Sequence, residues 1–406
     1  MEQDNENKKR IYLDYASTTP LDDETLKFML PYFNGEYSNP SSMHQSGRDA
    51  MTVIVKSKKE IAEVIGVRSD EIIFTGSGTE SDNLAILGVC RAYKNKGNHI
   101  IISAIEHKAI LEPAKQLEKE GFVVSVLPVD KEGKINVDEC VKLITPKTIL
   151  ISIMYANNEI GTVEPIKELS KCIASLKNNE GMPFLHTDAC QATGYLSINV
   201  PELGVDLMTL NSSKIYGPKG VGLLYKKHSI KIDPVISGGE QEYSLRAGTE
   251  NIALIAGFTH ALKKAEDHRE EEVKRLQHLQ SFFMLSIKML LPYAKFNGPL
   301  PITISPETPL TRLPNNVHIS IPAVEGESMV LMLDHEGIEV ATGSACSSLD
   351  LKPSHVLIAI GQDPEIIHGS IRFTLGRHTT KQELEKVLEI FPKVVKHLTS
   401  LSSIKI

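Results

Sequence analysis

Side chains that could take part in chemistry follow closely after several apolar, β-branched runs of the sequence. They comprise one lysine, one carboxylate, one histidine and three amides: Lys214, Asp188, His107, Gln191, Asn157 and Asn158. Such runs predict strands of a largely parallel sheet, and in open sheets of this kind ligands bind beyond the carboxyl ends of the strands. We therefore expect these side chains to meet at one edge of the sheet.

A turn rich in glycine and hydroxyl groups, TGSGTES at 75–81, follows another predicted strand and leads into a helical pattern. Glycine permits close approach of the backbone, and the first free N–H groups of a helix favour an anion. Taken alone, such a turn is more often a simple helix cap. The chain has no GxxxxGK[ST] motif, which excludes a nucleotide-binding P-loop.

Together these groups supply what pyridoxal phosphate needs from a protein. The cofactor requires an amine for a Schiff base, a carboxylate that keeps its pyridine nitrogen protonated, and donors for its phosphate. Lys214 directly follows an apolar strand and should point into the cleft, whereas Lys219 lies beyond Gly217 and Pro218 and is the weaker candidate. Burial beside cationic groups would lower the pKa of Lys214 and make it a nucleophile.

Each of these residues also has a purely structural explanation when taken singly. His107 could be a hydrogen-bonded histidine at the sheet edge, and the asparagine pair could form a turn. Asp188 could be a helix N-cap and Lys214 a solvated charge. The active-site interpretation depends on their convergence at one edge of one sheet.

The alternation of strand and helix patterns predicts an α/β fold with a mostly parallel seven-stranded sheet covered by helices. The predicted strands are 71–74, 99–104, 122–129, 148–155, 183–188, 205–210 and 221–226. The last of them begins too soon after its predecessor for a helical crossover. We therefore predict that it is an antiparallel neighbour.

The chain length of 406 residues exceeds the size at which one core usually stops growing, so two domains are expected. A charged amphipathic stretch at 255–291 predicts one long helix that joins them. Strand patterns at 316–321 and 337–342 and helix patterns at 354–360 and 381–398 predict a smaller α+β domain. We predict a large domain at 15–262 and a small domain formed by 1–14 and 263–406.

Composition and charge argue against several classes of protein. A net charge of -7 without a long Lys/Arg run argues against nucleic acid as a partner. The polar first ten residues do not resemble a secretory signal, and no run of about 18 apolar residues predicts a membrane span. Five scattered cysteines without a CxxC pair indicate reduced thiols in the cytoplasm, with neither a disulfide framework nor a metal site: Cys90, Cys140, Cys172, Cys190 and Cys346.

Ordered motifs along nearly the whole chain resemble those of the cysteine desulfurases. This family lies within the class V aminotransferase group of fold-type I pyridoxal-phosphate enzymes. The motifs are LDYASTTP at 13–20, SNPSSMHQSGR at 38–48, GSGTESDNLA at 76–85, EHKA at 106–109, NNEIGTVEPI at 157–166, HTDACQATG at 186–194, SKIYGPKGVG at 213–222, RAGTEN at 246–251, ATGSACSS at 341–348 and IRFTLGR at 371–377. So many motifs in order are not a chance match.

The resemblance implies a role for each matched residue. Lys214 would bind the cofactor covalently, Asp188 would pair with its pyridine nitrogen, and His107 would stack on its ring and move protons. Residues expected around its phenolic oxygen and phosphate are Gln191, Asn158, Gly78, Thr79, Asn211, Ser212, Ser213 and, from the other subunit of a homodimer, Thr249. Arg372, assisted by Asn158, would hold the substrate, since a guanidinium suits bidentate contact with a carboxylate.

The sequence departs from the family directly before the lysine. Many members have Ser-Gly-His there, whereas this chain has Asn211, Ser212 and Ser213. The departure removes a possible charged partner of the phosphate and leaves neutral donors in its place.

Cys346 lies in a run of small residues that matches the family's cysteine-bearing loop. A lone loop cysteine is most often inert, but the resemblance implies that this thiolate attacks the sulfur of L-cysteine. The expected products are alanine and a persulfide on Cys346. The persulfide sulfur would pass to an acceptor, either an iron–sulfur scaffold protein or a tRNA-thiolation protein.

Three rival functions differ from this one in what they require of the chain. A selenocysteine lyase would share the cofactor site and prefer selenium strongly over sulfur. An aminotransferase of the same class would need a keto-acid acceptor and would leave Cys346 incidental. A scaffold without catalysis would not need Lys214, Asp188, His107 and Cys346 together.

Overall fold

The computed structural model describes residues 10–300, 309–343 and 353–402. Its largest element is a seven-stranded sheet with the strand order β2-β8-β7-β6-β5-β3-β4. The strands are β2 (Ile72–Thr75), β3 (His99–Ser103), β4 (Val123–Leu127), β5 (Thr148–Ser152), β6 (Phe184–Asp188), β7 (Leu207–Asn211) and β8 (Gly222–Lys226).

Pairing within this sheet is mostly parallel. Strands β7, β6, β5, β3 and β4 run parallel to one another, and β8 is antiparallel to both β7 and β2. The prediction of an α/β fold with a mostly parallel seven-stranded sheet is therefore confirmed, as is the antiparallel placement of the last predicted strand.

Both faces of the sheet are buried, because its central strands are apolar on both sides. Ile101 of β3 belongs to one buried cluster, whereas its neighbours Ile100 and Ile102 belong to another. Successive side chains of a strand point to opposite faces, so a strand covered on both faces has a continuous apolar sequence.

Helices cover these faces and continue through the chain. They are α1 (Asp23–Met29), α2 (Pro31–Asn34), α3 (Gln45–Ile65), α4 (Gly78–Asn83), α5 (Val89–Ala92), α6 (Lys108–Lys119), α7 (Val137–Leu143), α8 (Ile166–Ala174), α9 (Val200–Leu203), α10 (Ile252–Asp267), α11 (Arg269–Leu290), α12 (Gly326–His335), α13 (His355–Ala359), α14 (Pro364–Ile367) and α15 (Lys381–Leu401). A π-helical stretch, Leu84–Gly88, joins α4 to α5. Within the described residues, no helix combines the length and the apolar character that a membrane crossing requires.

The prediction of one helix at 255–291 is wrong, because the helix is interrupted at His268. This residue has φ −103 and ψ 3, and it separates α10 from α11. Phe258 of α10 packs in a cluster of the large sheet, whereas Phe283 of α11 packs in a separate cluster. Each helix buries its apolar face against a different core, and a break lets both faces be buried.

The remaining strands form two small sheets. Strands β9 (Lys295–Phe296), β10 (Asn316–Ser320) and β12 (Ser370–Thr374) are antiparallel in the order β12-β10-β9, and β1 (Ile11–Tyr12) pairs with β11 (Ile338–Glu339). The predicted strand at 337–342 is regular only at Ile338–Glu339.

A separate buried cluster joins Leu13 to residues beyond 275, and its centre is a row of edge-to-face aromatic rings, Phe283, Phe373 and Phe391. This cluster supports the predicted domain boundaries at 14/15 and 262/263. The division of the chain into these two domains stays a prediction.

Candidate active site

A cavity of ≈ 290 Å³ lies at the edge of the sheet where β3, β5, β6 and β7 end. Nine of the predicted site residues line it: Gly78, Thr79, His107, Asn158, Asp188, Gln191, Asn211, Lys214 and Arg372. Arg372 comes from β12, so the cavity lies between the large sheet and the three-stranded sheet β12-β10-β9. A second cavity, of ≈ 270 Å³, shares Lys214, but the described part of its wall holds no other predicted site residue.

Lys214 reaches the cavity through a short turn after β7. The strand ends at Asn211, whose side-chain oxygen accepts a hydrogen bond from the Ser213 N–H at 3.3 Å and caps the 3-10 turn Ser212–Lys214. The lysine Nζ donates to the carbonyl oxygens of Ala16 at 2.9 Å and Ser17 at 2.5 Å. These contacts hold the amine against the segment that carries the LDYASTTP motif.

Lys219 occupies a different position. It is exposed, and its Nζ donates to the carbonyl oxygen of Thr19 at 3.2 Å. It does not belong to the described wall of the cavity. The geometry therefore favours Lys214 over Lys219 as the reactive amine.

Asp188 is the last residue of β6 and is buried. Its Oδ1 accepts a hydrogen bond from the Cys190 N–H at 2.9 Å, which fixes the carboxylate in the cavity wall. Asp82 of α4 also lines the cavity, and burial together with the charge of Asp188 raises its pKa well above the ordinary value. A raised pKa favours the protonated, neutral form of the Asp82 carboxyl.

His107 stands at the amino end of α6. Its Nδ1 accepts a hydrogen bond from the Ala109 N–H at 3.1 Å. In the neutral ring the hydrogen is therefore on Nε2.

The preceding residue, Glu106, is fully buried, and burial raises its pKa to about 8. Its Oε1 accepts hydrogen bonds from Ser103 and from the Met154 N–H, which tie the ends of β3 and β5 together below the cavity.

The predicted anion-binding turn has backbone in close contact with its surroundings. A Cβ on Gly78 would lie 2.8 Å from Cys190 Sγ and 3.3 Å from Asn211 Cβ. Ser77 caps α4 by accepting from the Glu80 N–H, and Glu80 accepts in turn from the Gly76 N–H at 2.8 Å. A side chain at position 78 would crowd Cys190 and Asn211, so glycine keeps the start of α4 open beside the cavity.

Arg372 has an incompletely used guanidinium group. One terminal nitrogen donates to the Asn158 carbonyl oxygen at 2.8 Å, and the other donates to Asp14 Oδ1 and Ser17 Oγ, both at 2.9 Å. Its Nε is buried and has no partner among the described residues. A buried unpaired donor favours an anionic ligand.

Three predicted cofactor residues lie outside the described wall of this cavity. Ser212 is buried, and its hydroxyl faces the backbone of Gly217. The Ser213 carbonyl oxygen accepts a hydrogen bond from the Thr19 N–H. Thr249 is exposed, and its predicted contact with a second subunit involves a chain that this single-chain structure does not contain.

Among the described cysteines, only Cys190 lines the cavity. Burial raises the pKa of its thiol well above the ordinary value, so Cys190 is a poor nucleophile. Cys346 lies outside the described residues. The chain on either side of it borders the cavity, since Gly343 and His355 both line the wall.

Residues that the sequence analysis did not single out lie in the cavity wall or contact residues near it. Asp14, Ser17, Asp82, Glu106 and Glu159 act through the contacts just described or by lining the cavity. All five lie inside motifs that carry the family resemblance, so the motifs held the signal.

The residues present fit pyridoxal phosphate. The cavity brings together an amine, a buried carboxylate and a glycine turn with free N–H groups, which are the groups this cofactor needs. The unpaired Arg372 Nε lies in the same wall and suits the carboxylate of an amino acid.

Comparison with known proteins agrees with this geometry. The family model for Aminotransferase class-V matches residues 11–387. The chain is 48% identical over 398 residues to cysteine desulfurase IscS of Dictyoglomus turgidum, a match that covers 98% of each chain. It is 43% identical over 394 residues to cysteine desulfurase IscS of Methanosarcina thermophila, covering 97% of this chain and 94% of that one.

A solved structure of a NifS-like protein has the same fold. The TM-score is 0.87 at 33% sequence identity, and the superposition covers 96% of this chain and 100% of that one. The chain therefore belongs to the class-V aminotransferase family. Within that family it belongs with the cysteine desulfurases of the IscS and NifS type.

Proposed function

We propose that this protein removes sulfur from L-cysteine with pyridoxal phosphate, giving L-alanine and a persulfide on Cys346. One observation carries the proposal. The Lys214 amine, the Asp188 carboxylate and the Arg372 guanidinium share one cavity, and that cavity borders the chain on both sides of Cys346.

Pyridoxal phosphate, when bound, supplies an aldehyde that condenses with amines and a protonated ring that accepts electrons from the substrate. Lys214 would hold it covalently, and Asp188 would keep the proton on its ring nitrogen. The N–H groups at Gly78 and Thr79, with Asn211, would hold its phosphate. Gln191 and Asn158, which line the same cavity, would contact its ring oxygen.

The protein's own groups would orient the substrate and move its protons. Arg372 would bind the carboxylate of L-cysteine, because it is the buried cation of the cavity wall. The Lys214 amine would take the proton from the substrate Cα. The Nε2–H of His107 would supply a proton within the cavity, since its Nδ1 is occupied by the Ala109 N–H.

Sulfur transfer balances without an outside oxidant. The Cys346 thiolate attacks the substrate sulfur, an S–S bond forms, and the substrate Cβ–S bond breaks with its electron pair left on carbon. Protonation of that carbon gives the methyl group of alanine. Cys346 lies three residues beyond Gly343 in the sequence, and three residues span at most about 11 Å, a chain length that allows the thiol to meet a substrate in the cavity.

Other features support the proposals on partners. Exposed apolar side chains concentrate in the segment from 26 to 43, as expected of a homodimer interface: Leu26, Phe28, Leu30, Phe33, Tyr37 and Met43. The described cysteines are free, in keeping with a cytoplasmic protein. We propose that the persulfide sulfur passes to an iron–sulfur scaffold protein or a tRNA-thiolation protein.

The test is the variant Cys346→Ser, which replaces the thiol with a hydroxyl that hardly ionises near neutral pH. It should hold the cofactor and still change colour when L-cysteine binds, yet form almost no alanine and carry no persulfide. Cys172→Ser, at an exposed cysteine outside the described wall of the cavity, is the control and should make alanine normally. Normal alanine formation by Cys346→Ser would contradict the mechanism, and activity retained only with selenocysteine would favour a selenocysteine lyase.

A further inference from the structure

Ser354 is bonded to a buried glutamate. Its Oγ donates to Glu159 Oε2 at 2.5 Å and accepts from the Leu357 N–H at 3.2 Å. The second of these bonds caps the start of α13. Glu159 and Ser354 are both 4% exposed, so water does not compete for this bond. Ser354 is the second described residue after the segment 344–352, which contains Cys346.

The same carboxyl group lies against Gly343, the last described residue before that segment. A Cβ on Gly343 would lie 3.1 Å from Glu159 Oε2 and 2.6 Å from His318 Nε2. The backbone at 343 is therefore in close contact with Glu159 and His318. One glutamate thus touches the chain on both sides of Cys346.

Glu159 is itself held rigidly. Its N–H donates to Asn157 Oδ1 at 2.9 Å, and its carbonyl oxygen accepts from Asn316 Nδ2 at 2.9 Å. Asn157 also donates to the Ile105 carbonyl oxygen at 3.0 Å. These bonds anchor Glu159 to the large sheet through Asn157 and to the three-stranded sheet through Asn316.

His318 adds a second polar group at the same place. Its Nδ1 accepts from Asn297 Nδ2 at 2.8 Å, so its ring hydrogen is on Nε2. This Nε2 is buried, has no partner among the described residues, and faces Gly343. Gly343 therefore lies beside both a fixed carboxyl oxygen and a fixed N–H donor.

We propose that Glu159 is a positioning residue for sulfur capture, because its carboxyl bonds to Ser354 and lies beside Gly343, and so fixes the spacing of these two residues that flank Cys346. The proposal rests on the proposed function, in which Cys346 receives the sulfur. In this proposal Glu159 acts by holding the protein chain on both sides of Cys346.

The test separates the step at the substrate Cα from the capture of sulfur. In Glu159→Ala, exchange of the Cα proton of L-cysteine with solvent should stay near the wild-type rate, while persulfide formation on Cys346 falls about tenfold, the size expected for one buried hydrogen bond. Ser354→Ala removes the same bond from the other side and should show the same split.

Two further variants make the result specific. Glu159→Gln should restore persulfide formation, because its amide oxygen can still accept from Ser354. Glu164→Ala removes an equally buried carboxyl that does not border the cavity in its described part, and it should leave the ratio of the two rates unchanged.

Wild-type persulfide formation by both Glu159→Ala and Ser354→Ala would overturn the proposal, as would an equal loss of both steps in Ser354→Ala. Either outcome leaves the proposed function standing. Normal alanine formation by Cys346→Ser would instead overturn the proposed function and this inference together.

Discussion

The Nζ of Lys214 lies 2.9 Å from the carbonyl oxygen of Ala16, a residue 198 positions earlier in the chain. The Gln191 side-chain amide donates to the same carbonyl oxygen at 2.9 Å. The amino-terminal segment is therefore part of the active-site wall, and it orients the amine before any ligand binds.

The identity of the reactive lysine is directly testable by absorbance. Lys214→Ala should abolish the visible absorption of the purified protein, because the amine that lines the cavity is then missing. Lys219→Ala is the matched control and should stay yellow, since this lysine is exposed and its Nζ donates to the Thr19 carbonyl oxygen outside the described wall of the cavity. A colourless Lys219→Ala beside a yellow Lys214→Ala would reverse the assignment.

Asp188 is expected to act through its charge. Asp188→Asn can still accept from the Cys190 N–H but no longer stabilises a protonated ring nitrogen. Exchange of the Cα proton of L-cysteine should fall by about a hundredfold, a typical loss for one preorganised electrostatic contact. Asp206→Asn alters an equally buried carboxylate that bonds to the Leu185 N–H at the other end of β6, and it should exchange normally. Wild-type exchange by a fully loaded Asp188→Asn protein would refute this role.

A buried glutamate should make the protein less stable as pH rises. Burial raises the pKa of Glu164 from 4.5 to about 8. Between these values the folded protein keeps a proton that the unfolded chain releases, so the free energy of unfolding falls with pH by at most about 1.4 kcal/mol per pH unit from this group.

Urea unfolding at a series of pH values measures this effect. Glu164→Gln should make the free energy of unfolding fall less steeply between pH 4.5 and about 8, because the neutral amide has no proton to lose. Glu168→Gln, an exposed change on α8, should leave the slope as it is in the wild type. An unchanged slope in Glu164→Gln would show that this carboxyl is ionised in the folded protein.

The sequence predicted the sheet because the signal is local. Runs such as 99–104 and 148–155 are largely apolar on both faces, which marks a strand buried on both sides. The convergence of His107, Asp188 and Lys214 also followed, since residues after parallel strands must emerge at one edge.

Contacts between distant segments could not be predicted in this way. Ser354 and Glu159 are 195 positions apart, and no periodicity links them. The break at His268 was missed for a related reason. Apolar spacing shows which face of a helix is buried, but it does not show that two successive faces pack against different cores.

The apolar character of β3 on both faces has a consequence for how the sheet assembles. In a strand with one polar face, a slip of one residue would bury polar groups, so the pattern itself fixes the register. In β3 the run Ile100, Ile101 and Ile102 carries no such penalty. His99 supplies the missing mark: its imidazole nitrogens bond to Thr148 on one side at 2.7 Å and to Ser125 on the other at 2.9 Å. A single polar residue thus ties the start of the strand to both neighbours, and the register with β5 shifts directly after it.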